Sequence, residues 1–173
     1  MKTILTYGEC KELLNGGVNR EVLAAYPRTA KVLLDDNFSV YAISEIIDNI
    51  ANDDEDFEIR DNNAEYRFLR SDIADSKAIE YIKDLVWAFN PDFIIQHSKA
   101  LDYDDASRKI IEAIQAQCEN GNEAMLRLID DFVDFADDAI AADGRGHFLS
   151  AYDGKERDLD APYESSYFYY RIN

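Results

Sequence analysis

Apolar residues recur along most of the chain at helical spacing, and in two stretches they switch to alternation. Thr6, with Glu9 three residues on, makes a capping box for a short helix that Asn15-Gly16-Gly17 ends. Val22, Leu23, Ala25, Tyr26, Ala30, Leu33 and Leu34 follow, interrupted by Pro27, which predicts two short helical pieces. Ser39 opens a further helix with Ile43, Ile46, Ile47 and Ile50 on one face. Ile79, Ile82, Leu85, Val86 and Phe89 predict an amphipathic helix over 75–89, stopped by Asn90-Pro91. Residues 92–98 fit neither period. Asp104 or Asp105 starts a helix that runs to Cys118, and Asn120-Gly121-Asn122 breaks it. The longest predicted helix covers 123–142, with Leu126, Ile129, Phe132, Val133, Ala136 and Ile140 on one broad face.

The two alternating stretches predict β-structure. Phe57-Glu58-Ile59-Arg60 and Tyr66-Arg67-Phe68-Leu69 flank Asp61-Asn62-Asn63, an Asx-rich tip between aromatic strands. After Gly144-Arg145-Gly146, residues 147–152 and 167–172 alternate as two strands joined by an acidic loop over 153–166. The expectation is an α+β fold of about six helices with one or two small antiparallel hairpins or sheets, in a single compact domain over 1–173. It is helical over 1–50, a hairpin over 57–70, helical again over 75–142, and a C-terminal β-hairpin over 147–172. The chain has 173 residues, of which 47% are hydrophobic and 12% aromatic, ample for a buried core. No apolar run approaches membrane-spanning length, and Met1-Lys2-Thr3-Ile4-Leu5 gives way at once to polar residues, with no signal-peptide core. Cys10 and Cys118 are distant and unpaired in sequence, as in a reducing cytoplasm.

Charge changes the picture. There are 36 acidic residues against 18 basic ones, a net of −18. Residues 1–34 carry +2, 35–65 carry −10, 66–100 balance, 101–143 carry −9 and 144–173 carry −1. Two segments therefore hold essentially the whole excess, although clustering like charges opposes folding. A polyanion of this kind repels DNA, RNA and anionic membranes and attracts basic protein surfaces.

Within the second acidic segment Asp130, Asp134 and Asp137 follow i, i+4, i+7 spacing, with Asp131 and Asp138 alongside. A rise of about 1.5 Å per residue sets successive members roughly 5 to 6 Å apart along a helix axis, on the scale of backbone phosphates. In the first segment Asp53, Asp54, Glu55 and Asp56 form an exposed turn. Acidic stripes also serve solubility alone or adaptation to high salt. The isoleucine-rich core and retained lysines argue against the latter.

In composition and charge layout over 35–65 and 101–143 the chain resembles the acidic DNA-mimic inhibitors with which phages and plasmids neutralise host defence, of antirestriction or anti-CRISPR type. The ending over 145–156 and 167–173 is similar to endings of small phage accessory proteins. The resemblance implies an inhibitor acting in the bacterial cytoplasm. It would occupy the basic DNA or RNA groove of a CRISPR effector or restriction enzyme through Asp53, Asp54, Glu55, Asp56, Asp130, Asp131, Asp134, Asp137 and Asp138.

Enzyme readings have less support. His97 and His147 are the only near-neutral bases, neither cysteine has a neighbouring histidine, and no phosphate-loop, dinucleotide, zincin or nucleophile-elbow motif occurs. Asp102-x-Asp104-Asp105 and Asp153 with Asp158-x-Asp160 offer oxygen ligands but lack the EF-hand glycine and glutamate. Neither catalysis, a metal nor a cofactor is expected. The competing reading is an interaction module that uses Tyr163, Tyr167, Tyr169 and Tyr170 as aromatic anchors rather than mimicking nucleic acid.

Overall fold

The computed structural model describes residues 5–159 and 166–173. In chain order the described helices are α1 Tyr7–Asn15, α2 Arg20–Ala25, α3 Pro27–Asp35, α4 Val40–Ala51, α5 Ser71–Asp84, α6 Pro91–Gln96, α7 Asp105–Gln115, α8 Asn122–Leu126, α9 Phe132–Asp143 and α10 Arg145–Leu149. The strands are β1 Asp56–Asp61, β2 Ala64–Arg70, β3 Glu156–Leu159 and β4 Tyr167–Arg171. The fold is α+β, with more and shorter helices than the sequence pattern predicts. The chain divides into two compact units, residues up to Asp75 together with those from Arg145 on, and Ser76–Gly144.

In the first unit, side-chain caps set the helix boundaries. The Thr6 amide donates to Glu9 Oε2 at 2.6 Å and the Glu9 amide to Thr6 Oγ1 at 3.3 Å, which completes the capping box. Pro27 opens α3 at the first helical position, where its missing N–H leaves no bond unmade. The Ser39 hydroxyl accepts from the Ala42 amide to cap α4. The buried Asp61 carboxylate accepts from the Ser39 amide at 3.0 Å and its hydroxyl at 2.6 Å, tying the β1–β2 hairpin to the start of α4.

The four strands form one antiparallel sheet in the order β1-β2-β4-β3. One face, with Ile59, Phe68, Leu159, Tyr167 and Tyr169, packs on a core that includes Leu33, Ile43, Ile46, Ile47 and Ile50. Phe168 and Tyr170 alternate to the other face, where Tyr170 is also fully buried. The second strand of the predicted C-terminal hairpin is therefore β4.

Its predicted first strand is a correction. Residues 145–149 form α10, and the strand that pairs with β4 is the polar Glu156–Leu159. Phe148 and Leu149 are both buried, which suits a helical turn and not a half-exposed strand. The Ser150 hydroxyl then donates to the Arg171 carbonyl at 2.8 Å, locking the following turn to β4. Five residues are too few for a period to separate helix from strand, and these tertiary contacts decide.

The second unit gathers Ala78, Ile82, Val86, Ile94, Ile95, Ile111, Met125, Ile129 and Phe135 into its own core. The ambiguous residues 92–98 are mostly α6, capped by Asn90, whose side-chain oxygen accepts from the Asp92 amide at 2.8 Å. The predicted long helix over 123–142 is two helices, α8 and α9, separated at 127–131. Asp131 causes the restart: its carboxylate accepts from the Val133 and Asp134 amides at 3.0 and 3.3 Å as the N-cap of α9. Aspartate competes with helical backbone bonding, and the hydrophobic period runs straight through that competition.

Candidate functional site

In the first unit the acidic turn sits against two arginines. The Arg70 guanidinium, with only 15% of its side chain exposed, meets Asp72 at 2.7 Å, Asp53 at 3.0 Å and Glu55 at 2.5 Å. Its hydrogen bonds to Asp72 and then Asp53 raise its pKa, outweighing the desolvation that lowers it, and the Asp72 carboxyl is lowered in turn by the bond from Arg70. Arg67 holds Asp56 by a two-pronged contact at 2.8 and 2.5 Å. Asp54 contributes backbone alone: its carbonyl accepts from the Tyr167 hydroxyl at 3.0 Å. Of the four carboxylates predicted as a partner surface, Asp53, Glu55 and Asp56 are thus already engaged by cations of the same unit.

In the second unit the predicted row splits by role. Asp130 lies outside the helix; its carboxylate accepts from the Lys99 amide and its own amide donates to the His97 carbonyl at 3.0 Å. Asp131 is the cap of α9. Asp134, Asp137 and Asp138 remain inside α9 on its exposed side. Asp134 and Asp138 stand one turn apart, about 6 Å along the axis. Val133, 56% exposed, lies beside them. No lysine or arginine occurs between Leu128 and Gly144.

His97 ends α6 and turns its ring toward this face. Its Nε2 lies 3.5 Å from Asp138 Oδ2, only 10% of its side chain is exposed, and that nitrogen has no hydrogen-bond partner. Phe93 and Phe135 enclose the ring, with centroids 4.9 and 5.2 Å away. Sequence alone marks His97 as a lone histidine, since its neighbour Asp138 is 41 positions away.

An acidic surface that the sequence reading passes over lies on α4. With Ile43, Ile46, Ile47 and Ile50 buried, the opposite face carries Tyr41, 74% exposed, together with Glu45 and Asp48. These line an open polar groove of about 530 Å³ with Asn49, Asn52 and the Gly16-Gly17 turn. The signal was present, because the helical period that buries the isoleucines expels those three residues.

The remaining candidates have structural partners. Asp104 caps α7 and its carboxyl is held low by the Ser107 amide. Asp105 pairs with Arg108 at 3.3 Å. Burial pushes the Asp153 carboxyl up, but Arg157, Ser150 and the Lys155 amide outweigh it and bring it down to about 2. Asp160 and Tyr163 lie outside the described residues. Tyr167, Tyr169 and Tyr170 are at most 1% exposed, so they are core and not anchors. Burial pushes the Tyr167 hydroxyl up to about 12. Arg145 gathers Asp75 and Glu156 at 3.0 and 2.7 Å and covers the Phe168 ring at 4.2 Å, which gives the 145–156 segment a role in closing the sheet. His147 is exposed, Cys10 half-buried and Cys118 exposed, both thiols free. Among the described residues no helix is long and apolar enough to cross a membrane.

Comparison with protein-family models, curated proteins and solved structures finds no match to this chain.

Proposed function

We propose that the protein is an acidic inhibitor of a nucleic-acid-binding bacterial defence protein, a CRISPR effector or restriction enzyme. It occupies that protein's basic DNA or RNA groove by phosphate mimicry, acts in the host cytoplasm and performs no chemistry of its own. One observation carries this reading: the outer side of α9 presents Asp134, Asp137 and Asp138 on a segment that holds no lysine or arginine from Leu128 to Gly144. A helix fixes such charges close to the backbone at regular intervals, as a sugar–phosphate strand does, and a cationic groove built for the one attracts the other. The engaged carboxylates of the first-unit turn are secondary in this reading, and Asp54 is the member left to contribute.

The test is capture from bacterial lysate followed by elution with duplex DNA. A nucleic-acid-binding protein released by DNA and by raised salt supports the reading. A folded variant with both Asp134→Lys and Asp137→Lys that still captures the same protein overturns it.

A second reading is favoured by Tyr41, which stands exposed beside Glu45 and Asp48. There the protein is an interaction module that contacts its partner through an aromatic anchor without mimicry. Tyr41→Ala then abolishes capture, and salt changes it little.

A further inference from the structure

An apolar pocket of about 410 Å³ lies among the first three helices. Leu14 of α1, Leu23 and Ala24 of α2 and Pro27 at the start of α3 form its described wall together with Leu5. None of the described lining residues is acidic, and the two charged ones are Arg20 and Arg28. On a chain with 36 acids and 18 bases, that lining runs against the general composition. Glu9, the nearest acid in sequence to the lining Cys10, is already engaged by the Lys31 ammonium at 3.2 Å and the Thr6 amide at 2.6 Å. The volume falls within the roughly 300 to 1,000 Å³ of small-molecule sites, which combine apolar walls with a few placed polar groups.

We infer that this pocket binds a medium-chain aliphatic carboxylate, with the alkyl chain against the leucines and the anionic head on the arginines. Burial of the chain supplies affinity in proportion to its length, about four-fold per methylene. A guanidinium pairs with a carboxylate through parallel N–H bonds, so Arg20 and Arg28 select an anionic head over a cationic one on the same chain. The local field agrees, because residues 1–34 carry a net +2 while every later segment is neutral or negative. The described lining belongs wholly to the first unit, so the inference stands whether or not α9 meets a basic groove.

The test uses the two cysteines of the full chain. Cys10 lines the pocket and is half-buried, whereas the exposed Cys118 belongs to the second unit, and both thiols are free. Alkylation by iodoacetamide, read at each cysteine by mass spectrometry, therefore reports occupancy with an internal control. Sodium decanoate should slow labelling of Cys10 by at least about five-fold at saturation, with Kd of about 100 µM or tighter, and leave Cys118 unchanged. Octanoate, two methylenes shorter, should bind about ten-fold more weakly. Decyltrimethylammonium, a cation of the same chain length as decanoate, should bind at least about ten-fold more weakly than decanoate. Arg20→Gln with Arg28→Gln, both at exposed positions, removes that preference, and Ala24→Trp at an exposed wall position blocks the pocket. Absence of saturable protection up to about 5 mM decanoate overturns the site. So does equal protection by the cation, protection that the double arginine variant leaves unchanged, or equal slowing at Cys118. Protection by phosphatidylglycerol vesicles with none by decanoate would assign the pocket to a membrane surface and overturn the free carboxylate as its ligand.

Discussion

The Asp130 amide donates to the His97 carbonyl at 3.0 Å, and the carboxylate of the same aspartate accepts from the Lys99 amide. One acid thus joins the turn after α6 to the turn before α9, and the next, Asp131, starts that helix. These two are structural, whereas Asp137 on α9 faces solvent. Asp130→Ala and Asp131→Ala should each lower unfolding stability by about 1 to 2 kcal/mol, as lost caps do. Asp137→Ala, on the solvent side of the helix, should stay within about 0.5 kcal/mol. Urea unfolding of the three variants checks this, and equal losses at all three positions would remove the distinction.

That division separates local sequence signals from long-range contacts. Caps whose partners lie within four residues, such as Thr6 with Glu9 and Ser39 with Ala42, were legible because the chemistry is local. The β1–β2 hairpin was legible for the same reason. The break at 127–131 was not, because Asp130 is fixed by residues more than 30 positions away and the apolar period continues across it. The cations that engage the acidic turn follow the same rule: Arg70 lies 15 and 17 positions from Glu55 and Asp53, and a charge count cannot register which charges face each other. The alternation in β4 predicted a strand correctly. It could not say that both of its faces are covered, which removes the tyrosines from the surface.

Gly146 should be irreplaceable. A Cβ there would sit 2.5 Å from the Glu156 nitrogen and the Gly154 carbonyl oxygen and 2.8 Å from the Lys155 carbonyl carbon, all backbone. Gly146→Ala should therefore cost about 3 kcal/mol or more by forcing α10 away from β3. Gly8 is the contrast, since its Cβ would meet only Thr6 Oγ1 at 4.0 Å on an exposed helix. Gly8→Ala should stabilise by about 0.5 to 1 kcal/mol. Opposite shifts of the urea midpoint are expected, and a tolerated Gly146→Ala would mean that α10 does not pack on β3.

Asp153 gives the protein a defined acid response. Its carboxyl stands at about 2 in the folded chain against an ordinary 3.8, so the folded state favours its charged form. The stabilisation is fully present above the ordinary value and is lost as pH falls from about 4 through 2, where the folded-state carboxylate finally takes up its proton. Asp153→Asn should lower stability at neutral pH and flatten the decline over that interval, since no proton is then taken up. Thermal unfolding of both chains between pH 2 and 7 checks it. Parallel curves would show that the Arg157 and Ser150 contacts do not hold the charge.

Arg70 separates the two acidic surfaces as binding sites. Replacing it with methionine keeps the apolar stem and releases Asp53, Glu55 and Asp72, which makes the turn more negative while lowering Tm through loss of the shared cation. Added salt should restore part of that Tm, because the freed carboxylates repel one another across screened distances. If α9 is the face that meets a basic groove, Arg70→Met should leave affinity for the captured protein within about two-fold, whereas Asp134→Lys with Asp137→Lys should weaken it by at least about 100-fold. The helix variant should lose binding through slower association and a reduced salt dependence, since the reversed charges oppose the steering field. The outcome is read by surface-immobilised binding kinetics at two salt concentrations. Tighter binding by Arg70→Met, with the α9 double variant unaffected, would assign the interface to the turn at 53–56 and leave the acidic side of α9 with no partner to meet.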